Sequence, residues 1–366
     1  MLTTHMEMGG IPVYVSSLAR GLKAAGHEPV VLSSGGWLER RLAASGVRHR
    51  KVWCDTSSEL HPRLWLAAFP KLLLIVREER PDILHAQTRV TQVLAWALHL
   101  VTRVPFVTTC HGLYKYRIGR RIFRCWGKSV MAISRPSMDR LVHQYHLAPP
   151  HQVTLVRNGI ETARFAEAPD PGEAAAFRRA HGITGSPVIG AIARLSPVKG
   201  LDLLIRMVPD LLKEFPNLQV LLVGDGPSRA DIVRLAYQMQ VAGRVVIAHS
   251  VDDTRIPLSM MEIFAAPALR EGFGLAIVEA MAAGVAVVAT RSGGPAEIID
   301  HGTTGLLVEP ENVNALREAI RTLLSDPVRR IGIAQAAKQK AAREFDMGRV
   351  TREVESVYKY ARNGSS

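Results

Sequence analysis

Short runs of β-branched and aliphatic residues recur along the chain, most of them followed by a stretch with helical spacing. In the first half the runs are PVVLS (29–33), PDILHAQ (81–87), PFVTTCHG (105–112), SVMAIS (129–134) and VTLVRNG (153–159). In the second half they are PVIGAIAR (187–194), LQVLLVGDG (218–226), RVVIAHS (244–250), EIFAAPA (262–268) and VAVVAT (285–290). Strands that alternate with helices of ten or more residues pair as parallel βαβ units. Between the two series, ETARFAEAPDPGEAAAFRRAHGITGS (161–186) is rich in Pro, Gly and Ala and reads as a linker leading into a helix. That break favours an α/β chain of two doubly wound parallel-sheet domains, with a cleft between them, over an eight-stranded barrel.

Ligands of open parallel sheets bind at the carboxyl ends of the strands. His111-Gly112, Arg194, Gly224-Asp225-Gly226 and Glu271 all fall at or just after such ends. In EGFGLAIVEAMAAG, Gly272 and Gly274 let the main chain approach a ligand closely, and a helix is predicted to begin near Leu275. The unpaired N–H groups of a helix start form an anion site. Glu271 and Glu279 would lie roughly 12 Å apart if the segment were helical throughout. That is wider than the pair of acids that flanks one glycosidic bond. The spacing suits acids that hold two parts of one elongated ligand, with a phosphate between them. In RLSPVKG, Arg194 and Lys199 flank a loop, and a guanidinium with an ammonium can neutralise a diphosphate. GDGP (224–227) reads as a turn or a phosphate contact. Gly9-Gly10 precede an amphipathic helix and read equally as a tight turn or a second anion-binding helix start.

Bulk properties narrow the classes. A length of 366 residues suits two or three domains. Three cysteines without CxxC spacing argue against a disulfide framework or a zinc site, and the 13 histidines show no HxxxH or HExxH pattern. Neither Walker nor GxSxG signatures occur. MLTTHMEMGG lacks the basic start and apolar core of a secretory signal, and the longest apolar segments are interrupted. A soluble or peripheral protein in the cytoplasm is expected. The formal net charge of +13 favours anionic partners.

At this point the pieces GGIPVYVSSLARGLKAAGHE, PDILHAQ, TCHG, RNGIE, RLSPVKGLDLLI, GDGP and EGFGLAIVEAMAAGVAVVATRSGGPAEIIDHGTTGLLV resemble, in order, those of family 4 glycosyltransferases (group 1). The resemblance spans nearly the whole chain and is most specific in its second half. It implies the GT-B fold, two Rossmann-like domains facing across a nucleotide-sugar cleft, and a retaining, metal-independent sugar transfer without a cofactor. It also implies that the REFDMGRVTREVESVYKYAR segment is a helix returning to the first domain. The expected domains are therefore 1–160 plus 346–366, which takes the acceptor, and 161–345, which takes the donor.

By position, the resemblance gives Glu271 the hydroxyls of the donor sugar and Glu279 the ribose. Arg194 and Lys199 grip the diphosphate, and backbone groups at Phe273, Gly274 and Leu275 contact sugar and phosphate. Gly10 lets the first loop approach the donor or acceptor, Gly224 borders the donor, and His111 faces the transferred sugar. Glu297 matches a recurrent acid with a supporting role.

Three departures stand out: a short first strand, Gln87 where a histidine is common, and Ala268 where serine often follows the proline. The segment YKYRIGRRIFRCWGK (114–128) carries Arg117, Arg120, Arg121 and Arg124 at helical spacing, interleaved with apolar residues and free of acids. It reads either as a solvated basic face or as a surface for an anionic membrane bearing a lipid-linked or lipopolysaccharide acceptor. Two rival readings remain, a nucleic-acid-binding protein, which lacks any recognised motif, and a catalytically idle homologue that binds a sugar nucleotide. Neither is preferred.

Overall fold

The computed structural model describes residues 1–56, 58–112 and 123–363. The chain divides into two compact units, Met1–Gly159 with Met347–Ser366, and Ile160–Asp346.

The second unit is built on a six-stranded parallel sheet, and its strands are β7 (Val188–Ile192), β8 (Gln219–Val223), β9 (Val245–Ala248), β10 (Ile263–Ala266), β11 (Ala286–Thr290) and β12 (Leu306–Val308). They lie in the order β12-β11-β10-β7-β8-β9. The order reverses between β7 and β10, so a crevice opens at their carboxyl ends. β7, β8, β10 and β11 are apolar and nearly all buried, as a sheet covered on both faces requires. The helix Leu201–Leu211 turns Leu201, Leu204, Ile205, Val208 and Leu211 into this core.

The first unit holds β1 (Val30–Ser33) paired with β2 (Arg48–Lys51), and β3 (Leu84–Ala86), β4 (Phe106–Cys110), β5 (Ser129–Ala132) and β6 (Val153–Leu155) in one parallel run. Leu2 bridges the two groups, with parallel contacts to Leu32 on one side and Ala86 on the other. Its N–H donates to His85 O at 2.8 Å, and Gln87 N–H donates back to Leu2 O at 3.0 Å. The short first strand is thus central, and the direction of winding reverses between it and β3. The helices Gly10–Ala24 and Met347–Asn363 pack together in this unit. Thr351 sits so close to Gly21 that a Cβ there would collide with its hydroxyl.

Two sequence readings change. The stretch at 161–186, read as a linker leading into a helix, contains that helix, Pro171–Ala180, and before it a second one, Thr162–Ala166. Thr162 and Phe165 are buried, and this second helix packs on Leu275–Ala282 and on Pro327–Glu344. β2 was not foreseen, because RHRK offers no apolar face. It is held by pairing with β1 and by ion pairs from Arg48 and Arg50 to Glu79. Among the described residues no helix is long and apolar enough to cross a membrane.

Candidate functional site

In the second unit the sequence-predicted residues gather at the switch point. Arg194 leaves the end of β7 and is exposed, and among the described residues it meets no carboxylate. The chain then makes a single 3₁₀ turn, Pro197–Lys199, and enters its helix through Gly200, whose left-handed φ of 60° and lack of a Cβ let it abut Pro267 O. Leu269 N–H donates to Val198 O at 2.8 Å, which ties this loop to the one following β10. Lys199 is thereby held against Glu271, with Nζ to carboxylate 2.5 Å.

Glu271 is fixed from the other side as well. Its N–H donates to Ser292 O and its carbonyl accepts from Gly294 N–H, both at 3.0 Å. A Cβ on Gly294 would collide with the Phe273 backbone. Phe273 itself is buried, its ring 5.8 Å from Phe345 in an edge contact. Its side chain is therefore core, and only its backbone borders the site. Gly274, at φ 107°, opens the helix Leu275–Ala282, as the glycines predicted. One turn in, Glu279 is 8% exposed and accepts a hydrogen bond from Thr254 Oγ1 at 3.0 Å. A carboxylate this far buried, with a free helix start a turn away, suits a polar ligand lying along the loop.

The turn at Gly224 and Gly226 is shaped by packing. A Cβ at either would strike the carbonyl of Ala193 or Leu195, and Leu195 N–H donates to Asp225 O at 2.9 Å. Asp225 in turn accepts from Ser250 N–H at 2.9 Å and meets His249 Nδ1 at 2.5 Å. Those partners, the Ser250 N–H foremost, hold its carboxyl down at about 2. His249 and Thr254 were missed by sequence reasoning. Both sit in the connection after β9, where no spacing rule marks them.

In the first unit the corresponding reversal gathers a second group. Gly9 and Gly10 are exposed at the start of the helix Gly10–Ala24. One turn along, buried Tyr14 sets its ring edge-on to His111, centroids 5.0 Å apart. His111 Nε2 lies 2.6 Å from Gln87 Oε1, so the glutamine at the usual histidine position serves to orient His111. Burial lowers the imidazole to about 3, which keeps it neutral. Glu297 lies in the short helix Pro295–Ile298, beyond the Gly293-Gly294 turn that braces Glu271. Of the basic stretch, positions 113–122 with Arg117, Arg120 and Arg121 lie outside the described residues, while Arg124 is exposed. Among the described residues no group of three or more His, Cys, Asp or Glu could hold a metal ion.

Residues 8–164 match the family described as Glycosyltransferase Family 4, and residues 173–342 match Glycosyl transferases group 1. Over 221 residues the chain is 36% identical to a GDP-mannose-dependent alpha-(1-6)-phosphatidylinositol monomannoside mannosyltransferase of Mycolicibacterium smegmatis. That match covers 58% of this chain and spans 57% of the relative's length. N-acetyl-alpha-D-glucosaminyl L-malate synthase of Bacillus anthracis is 24% identical over 98% of this chain and 95% of its own. The crystal structure of Anabaena Alr3699/HepE in complex with UDP and glucose superposes with a TM-score of 0.84 at 21% identity, covering 98% of each chain. The chain belongs to the family 4, group 1 glycosyltransferases and has their GT-B fold.

Proposed function

We propose that the protein is a retaining glycosyltransferase that moves a sugar from a nucleotide-diphosphate sugar to a glycan or lipid-linked saccharide. The observation that carries this is the join of Lys199 to Glu271 beside the helix start at Leu275, with Glu279 buried one turn further on. Cations, free N–H groups and two separated acids match the phosphates, the sugar and the ribose of such a donor. The names of the mannosyltransferase and of the UDP-bound neighbour support a nucleotide-sugar donor, and they differ in its base.

In the proposed reaction the bond between the sugar anomeric carbon and the diphosphate oxygen breaks, and its electron pair leaves with the diphosphate. Arg194 and Lys199 stabilise that developing charge. The acceptor hydroxyl forms the new bond on the same face and passes its proton to the departing phosphate. Glu271 holds donor hydroxyls, Glu279 the ribose, and neutral His111 bonds the transferred sugar. Backbone at Gly10, Phe273, Gly274 and Leu275 lies against the donor, with Gly224 shaping the loop beside it. No metal ion or cofactor enters this scheme, and nucleic acid is not among its partners. The proposed location is cytoplasmic, at the inner membrane face, with residues 114–128 facing anionic lipid and an envelope polysaccharide or lipopolysaccharide precursor as acceptor.

Calorimetric titration with UDP-, GDP-, ADP- and dTDP-sugars, on wild type and Glu279→Ala, tests the donor site. Selective binding of one nucleotide, weakened by the substitution, is the expected result. A folded protein that binds none of them overturns the reading.

A further inference from the structure

Between Glu59 and Glu78 the chain has no acidic residue, and it carries Arg63, Lys71 and Arg77. This stretch forms one π turn, Leu64–Ala68, running directly into the helix Phe69–Glu79. One face is core, with Leu64, Ala68, Leu72, Ile75 and Val76 all buried. The opposite face is unusual. Leu60, Leu66 and Leu74 are 79%, 80% and 59% exposed, and Ala67 and Pro70 are exposed between them. Exposed leucines are ordinary when scattered; Leu66 and Leu74, joined through exposed Ala67 and Pro70 at steps of three and four residues, form a ridge, and exposed Leu60 lies in the turn that precedes it.

The cations of this ridge are unneutralised. Among the described residues Arg63, Lys71 and Arg77 meet no carboxylate, and the Arg63 guanidinium lies 4.5 Å over the Trp53 ring. The acids at the two ends of the stretch are engaged elsewhere, Glu59 with Arg89 and Glu78 with Arg50. Arg89 also donates to Phe123 O at 2.8 Å, which places a further exposed aromatic, Phe123 at 56%, and exposed Arg124 beside the start of the ridge.

We propose that this ridge docks on an anionic phospholipid surface. Exposed leucines among Arg and Lys side chains that meet no carboxylate match an interface whose apolar layer begins just below a negatively charged headgroup layer. Charge complementarity selects this occupant over a second copy of the chain. An isologous contact would bring two copies of the same patch, each carrying Arg63, Lys71 and Arg77 and no acid, against each other in a protein of net charge +13. The ridge deepens the membrane-face reading given above, and its test is independent of donor chemistry.

The test is co-sedimentation of the full chain with phosphatidylcholine vesicles, with and without phosphatidylglycerol, in the absence of nucleotide. Wild type is expected to bind the anionic vesicles and to release at high salt. Leu66→Ser/Leu74→Ser should bind at least about tenfold more weakly. Lys71→Glu should lose about fivefold or more on anionic vesicles. These side chains are exposed, so unchanged circular dichroism and thermal midpoint should accompany the loss.

Wild type that ignores anionic vesicles overturns the proposal. So does a double leucine variant that binds like wild type while Arg124→Glu does not, which would assign membrane contact to the basic segment instead. Self-association of wild type in sedimentation velocity, abolished by the leucine substitutions and without vesicle binding, would make the ridge an interface between copies and also overturns it.

Discussion

Lys199 Nζ lies 2.5 Å from a carboxylate oxygen of Glu271, and the two residues stand on loops that leave the adjacent strands β7 and β10. Both side chains are about a quarter exposed, so the pair contributes little to stability. Its consequence is for ligands. A diphosphate that takes Lys199 competes with Glu271 for its positive charge.

Glu271→Gln removes that competitor. It is expected to tighten a bare nucleoside diphosphate about threefold to tenfold while lowering turnover with the nucleotide sugar about 100-fold. Lys199→Ala should weaken both. Calorimetry paired with initial rates separates the cases, and equal losses in binding for both variants would count against the competition.

Glu279 is buried and shares a hydrogen bond with Thr254. Glu279→Gln keeps the shape and removes the charge, so nucleotide affinity should drop about tenfold with little change in fold. Thr254→Val leaves one carboxylate oxygen without that donor and should cost about 1–2 kcal/mol in urea unfolding. A nucleotide titration unchanged by Glu279→Gln would remove this residue from the donor site.

Gly294→Ala and Gly224→Ala both force a methyl into the backbone of a neighbouring loop. Each should lower stability by about 2 kcal/mol or more. Gly332→Ala is the contrast, since nothing lies within 4 Å of a Cβ there and the site is mid-helix. It should raise stability by up to about 1 kcal/mol. Urea midpoints of the three variants check this ranking.

Burial holds His111 at about 3 and pushes His85 well below the ordinary 6.5. In the unfolded chain both take up a proton near 6.5. Between the folded and unfolded values the unfolded state therefore binds more protons, and stability rises with pH. Stability should fall as pH drops below 6.5, and the decline from pH 7 to pH 5 should be smaller in His111→Gln. Equal declines in the two proteins would contradict the assignment. Asp225, held down at about 2, loses its contribution only as pH falls below its ordinary 3.8, beneath the range from pH 7 to pH 5.

The sheets were legible because apolar runs such as VLLV and AVVAT can be satisfied only between two covering layers. β2 was not, since Arg48–Lys51 owes its place to a partner strand and to Glu79 rather than to its own side chains. Within 161–186 a helix was foreseen, but not Thr162–Ala166, which at five residues is too short to show helical spacing. Candidate site residues could be picked out by strand-end position. Their partners could not: Lys199 and Glu271 are 72 residues apart, and Gln87 and His111 are 24 apart. Such pairings follow from strand order, which local pattern does not encode.

The helix Met347–Asn363 belongs to the unit that begins the chain. Its Tyr358 hydroxyl bonds buried His85 at 2.7 Å, and Thr351 fits against Gly21. On a translating ribosome the first unit's residues up to Gly159 therefore emerge long before the helix that covers them. Ile160–Asp346, being continuous, can complete its core first. The half of the protein made earliest finishes last, and until Tyr358 arrives it holds an open apolar face that chaperones are suited to guard.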